Sequence, residues 1–142
     1  VRAALATAGQ LHYAGHGVFA GERGWDSHLP LAERGALRLG DILALPRVPE
    51  RVLLSGCETG RASAFAGAET IGLGQAFVTS GSRSVIATAR PVDDSAALAL
   101  VERYYEAVSQ GQQPADALSA AQRHLLKTRP EADWSAFRLM HP

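Results

Sequence analysis

A chain of 142 residues can build one domain with a core of its own, and 46% hydrophobic with 20% charged residues is ordinary globular composition. Lys+Arg and Asp+Glu both number 14 and the formal net charge is zero, which argues against a nucleic-acid or anionic-membrane partner. No apolar run approaches the roughly 18–20 residues of a membrane span, and a single cysteine excludes an internal disulfide and fits a reducing, cytoplasmic compartment.

In chain order, Arg2–Ala6 reads as the last turn of a helix stopped by Gly9. The chain opens without Met and without a signal-peptide pattern. The expectation is a segment of a longer polypeptide. Gln10–Ala14 (QLHYA) reads as a short strand running into Gly15-His16-Gly17. Residues 18–37 mix glycines, Pro30 and Trp25 among charges, and predict a long loop with room for a hairpin. Leu39–Leu45 predicts a short helix ended before Pro46. Arg51–Gly56 (RVLLSG) predicts a buried strand, and Ala68–Ser80 a helix stopped by Gly81.

Ser84–Ala89 (SVIATA) predicts another strand. Asp93 and Asp94 precede an amphipathic helix over Ser95–Ser109, where an aspartate can cap free N–H groups and meet the helix's positive end. Pro114–Lys127 predicts a second helix with proline in its first turn. Trp134–Met140 predicts a last strand. Strand–helix alternation of this kind predicts an α/β layered fold with a mostly parallel sheet. In such sheets, sites gather beyond the carboxyl ends of the strands. His16 and Cys57 each follow a predicted strand directly.

A lone cysteine after an apolar strand is commonly core packing. It can also be a nucleophile, if a base or cation raises its thiolate fraction. A histidine across the site can take the thiol proton and return it to a leaving amine. N–H donors must also meet the oxyanion, and Gly17 and Cys57 itself offer two. His16 lies 41 residues before Cys57, near the roughly 50-residue separation of the caspase pattern.

His12 and His16 have zinc-like spacing only on a helix, and a third ligand is missing. His12 is left as a residue supporting the site or as a satisfied core histidine. Asp93 and Asp94 are helix caps or substrate-pocket residues. Glu58 follows the cysteine and shapes its turn or orients a basic group. Ser82 and Ser84 do not fit a serine-hydrolase elbow. Gly72-Leu73-Gly74 has no third glycine in step for a dinucleotide loop. A flavodoxin-like enzyme lacks its phosphate-cradling loop here.

YAGHGVF, LLSGCETGRA, IGLGQAFVTSGSRSVIATARPVDD, VERYYEAV and WSAFRL occur in this order. Together they resemble the CHAT domain, a caspase-like member of the clan that includes caspases, separase and gingipains. The resemblance runs from Leu11 to Met140. It implies a caspase-like three-layer α/β/α sandwich, incomplete here at its N-terminus. It also implies endopeptidase activity, with His16 and Gly17 as the His-Gly element and Cys57 as nucleophile. No metal or organic cofactor is needed for that chemistry.

The partners implied are a protein or peptide substrate and a regulatory domain or the missing N-terminal half. Where the family commonly has Thr, Ala and Trp, this chain has Gly15, Gly56 and Arg90. Arg90, on a pocket floor, would favour an acidic substrate side chain. Ser55 stands where basic-specific relatives carry an acid, so basic specificity is not expected. The alternative is a catalytically inactive caspase-like scaffold that binds partners through the same fold.

Overall fold

The computed structural model describes residues 1–18, 20, 25–55 and 66–142, with only the backbone of 66–71. The elements run α1 (Arg2–Thr7), β1 (Gln10–Tyr13), β2 (His28–Pro30), β3 (Ala36–Arg38), α2 (Leu39–Leu43) and β4 (Arg51–Leu54). They continue with α3 (Ala66–Thr79), β5 (Ser84–Thr88), α4 (Asp94–Ser109), α5 (Pro114–Thr128) and β6 (Phe137–Met140). The main sheet has the order β1-β4-β5-β6. β1, β4 and β5 are parallel, and β6 pairs antiparallel with β5.

Both faces of this sheet are covered, and the strand period of two shows how. Val52, Leu54, Val85 and Ala87 point to one side and join Ile42 of α2 and Leu73 and Phe77 of α3. Leu53 and Ile86 point to the other and join α4 and α5. A strand buried on both faces must be apolar at every position, which is why VLL and VIA read as unbroken runs. The result is the expected mixed α/β architecture: a mostly parallel sheet between two helical layers, consistent with a caspase-like sandwich.

The second helical layer follows from periodicity. Along α4 the buried residues are Ala96, Ala97, Leu100, Val101, Tyr104 and Ala107, the spacing of one face of a 3.6-residue helix. Along α5 they are Ala117, Leu118, Ala121 and Leu125. Pro114 opens α5, where a missing N–H costs no helical bond.

α3 and α4 end alike. Gly81 and Gly111 have φ of 108° and 87°, and their N–H groups bond to Val78 and Val108 carbonyls. The next residues, Ser82 and Gln112, bond to Phe77 and Ala107. These paired bonds are the Schellman closure, and its left-handed residue favours glycine.

Some expectations shift in detail. The 18–37 stretch contains the antiparallel β2–β3 hairpin, extended by a bridge between Val18 and His28. The last strand is shorter than expected because Trp134–Ala136 forms a 3₁₀ turn before it. α4 begins at Asp94, so Asp93 alone is the cap, accepting the Ala96 N–H at 3.1 Å. Its carboxyl is held below the usual aspartate range by the Ser95 hydroxyl first and the Ala96 N–H next.

A depressed folded-state pKa stabilises the fold above the unfolded value. That contribution is lost as pH falls through the folded one. Asp93→Ala is therefore expected to lower the melting midpoint at neutral pH. The difference from wild type should shrink on acidification below pH 3.8, the ordinary aspartate value. Asp93→Asn should retain most of the cap, because its side-chain oxygen still accepts. Thermal melts of the two variants at pH 7 and pH 3 check this.

Candidate functional site

The parallel pairing of β1 with β4 sets Tyr13 beside Leu54, so both strands release their chains on the same side of the sheet. His16 follows β1 there. Ser55 follows β4, and its N–H continues the ladder to the Tyr13 carbonyl at 3.0 Å. A cleft of about 240 Å³ opens at this end. His12, Ala14, His16 and Ser55 line it from the strand side, and Asp94, Ala97, Leu98 and Val101 from α4. A crevice beyond the carboxyl ends of parallel strands is where this architecture places ligands.

His12 and His16, four residues apart in sequence, thus share one cleft. His12 is paired in register with Leu53 and lies on the α4 face of β1. Its Nε2 is 2.7 Å from the Ser55 hydroxyl oxygen. Its ring lies 5.6 Å, tilted by 47°, from that of Tyr105. Tyr105 in turn accepts a hydrogen bond from Gln10 Nε2 at 2.9 Å. The partial burial of His12 lowers its pKa from the ordinary 6.5, which favours the neutral ring. A neutral imidazole has one nitrogen that donates and one that accepts, and either role suits a hydroxyl.

Tyr13 holds the other side of the turn. Its hydroxyl lies 2.8 Å from the Pro30 carbonyl and 3.1 Å from the His16 carbonyl. One proton serves both acceptors, tying the His16 backbone to the hairpin. This explains Gly15. A Cβ at that position would sit 2.6 Å from the Tyr13 hydroxyl oxygen and 2.7 Å from the ring carbon that bears it. A threonine there would have to move a side chain that is hydrogen-bonded in place. Gly17 follows His16, half-buried.

Gly56, Cys57 and Glu58 lie outside the described residues. Asp94 lines the cleft, whereas the Asp93 carboxylate is engaged at the start of α4. Arg90 reaches Asp133 through two hydrogen bonds of 2.8 Å, and also reaches the Ser135 hydroxyl at 2.9 Å. That guanidinium holds the Asp133 carboxyl below its usual range. A substrate acid would have to compete with Asp133 for it. Both partners are well exposed, so this fork contributes little stability, on the order of 0–1 kcal/mol.

Reading the residues one by one missed Tyr13 and the hydrogen-bonding role of Ser55. The signal for Ser55 was the strand alternation itself. Odd positions of β4 face the His12 side, so Ser55 falls beside His12 once the register is known.

No match was found among curated proteins. The family model of the CHAT domain matches residues 1–141. With that match across the mixed α/β sandwich just described, the chain belongs to the CHAT domain family, a caspase-like family.

Proposed function

We propose that the chain is a cysteine endopeptidase domain acting through His16 and Cys57. The observation that carries this reading is the position of His16. It stands at the carboxyl end of β1, in a cleft shared with Ser55, and Ser55 precedes Cys57 by two residues. His16 removes the thiol proton, and the Cys57 thiolate attacks the peptide carbonyl carbon. The N–H groups of Gly17 and Cys57 receive the oxyanion. Collapse of the tetrahedral adduct expels the amine, which takes the proton from His16. Water, deprotonated by His16, then hydrolyses the thioester and regenerates the thiol.

The substrate is a protein or peptide. Asp94 is the acidic candidate facing it in the cleft. Arg90 and Asp93 remain proposed pocket residues that substrate would have to draw from their present partners. A fused or preceding domain is the proposed regulator, and a reducing cytoplasm is the compartment that suits a free catalytic thiol.

The test is the pH dependence of Cys57 alkylation by iodoacetamide, in the full chain, with and without His16→Ala. The expected result is an apparent thiol pKa well below the free value of about 8.5. It should return toward that value when His16 is removed. A sluggish thiol with an unshifted pKa, indifferent to His16, would overturn the reading and favour the inactive scaffold.

A further inference from the structure

Ser55 is 7% exposed and is the last described residue before Cys57. Two hydrogen bonds tie it to β1. One is the backbone bond to Tyr13 at 3.0 Å, and the other is the side-chain contact with His12 at 2.7 Å. Among the described residues, these are the last bonds between β1 and β4, and the side-chain bond adds a second attachment beside the backbone one. His12 sits on the strand that leads to His16, and Ser55 on the strand that leads to Cys57.

We infer that His12 and Ser55 are a positioning pair, whose hydrogen bond sets the separation of the two chain segments that carry the catalytic groups. The inference rests on the dyad reading above. Neither residue touches the reacting atoms. The pair acts by holding the strand ends in register, and an error of about 1 Å in such alignment can cost about 100-fold in rate. Among the described residues, the Tyr105 ring on α4 lies against His12, and Asp94 at the start of α4 and His16 on the turn after β1 line the same cleft.

The experiment measures Cys57 alkylation rates by iodoacetamide against pH in the full chain. It compares wild type with His16→Ala, Ser55→Ala, His12→Phe and His12→Gln, with a thermal melt for each. Gln extends a hydrogen-bonding group to about the reach of Nε2, whereas Phe keeps the ring and removes it.

The expected result is a loss of at least about ten-fold in the His16-dependent rate for Ser55→Ala and His12→Phe. His12→Gln should recover most of the loss. Wild-type rates and pH profiles in folded Ser55→Ala and His12→Phe would overturn the positioning role while leaving the dyad intact. Equal losses in His12→Gln and His12→Phe would also overturn it, because the ring rather than the bond would then matter. A wild-type rate that does not depend on His16 would overturn the dyad reading and this inference together. Should Ser55→Ala fail to fold, the comparison of Gln with Phe at His12 decides the matter.

Discussion

Replacing Cys57 with alanine is expected to abolish peptide cleavage without unfolding the domain. Removing the nucleophile of a cysteine or serine hydrolase leaves only binding and oxyanion stabilisation, so the loss should reach at least about 10³-fold in kcat. His16→Ala should cost a similar factor, because nucleophile and base act as one unit. The double variant should then be scarcely worse than either single one. Cleavage of a protein substrate by the full chain, followed alongside far-UV circular dichroism, measures both halves of the expectation. Cleavage that persists in Cys57→Ala would sink the mechanism. It would turn attention to the Ser55 hydroxyl, which already lies 2.7 Å from a histidine nitrogen.

The second large effect concerns stability. Phe77 on α3 is fully buried, at 0% exposure. It packs in the layer that covers Val52, Leu54, Val85 and Ala87. Phe77→Ala is expected to cost about 3–5 kcal/mol, from lost transfer free energy and the cavity left behind. For a domain of this size, 3 kcal/mol corresponds to a fall of roughly 10 °C in melting midpoint. Because Leu54 immediately precedes Ser55, loosening this layer should also slow alkylation of Cys57. A Phe77→Ala variant melting within about 2 °C of wild type would show that the layer closes over the gap, contrary to the usual cost of such a cavity.

The same layer shows why so much of the architecture could be read from the chain. Runs such as VLL and VIA, bounded by polar or glycine residues, have few alternatives to doubly covered strands. The spacing of apolar residues in α4 has one good helical face, and Asp93 and Gly111 mark its two ends by local chemistry alone. Five ordered stretches, each weak alone, also pointed to the CHAT family, and the family match covers residues 1–141.

Other features depended on pairing between distant segments. Local sequence does not say that β6 runs antiparallel beside β5, or that Trp134–Ala136 turns before it. Nor does it say that Arg90, a candidate pocket cation, is engaged by Asp133, 43 residues away.

His12, Tyr13, Gly15 and His16 sit within five residues, and their types were legible at once. Their roles were not. The strand pattern of QLHYA and the following glycines determined that a histidine would leave a strand at a turn. The β1–β4 register alone decided that Ser55 would meet His12, because a one-residue slip would turn Ser55 to the opposite face. Folding of the hairpin back onto the turn decided that the Tyr13 hydroxyl would bind both Pro30 and His16, and so that position 15 has no room for a side chain. Local propensity acts over a few neighbouring residues and is written in the sequence. Register and cross-strand contact are set only when separated segments bury their apolar faces together.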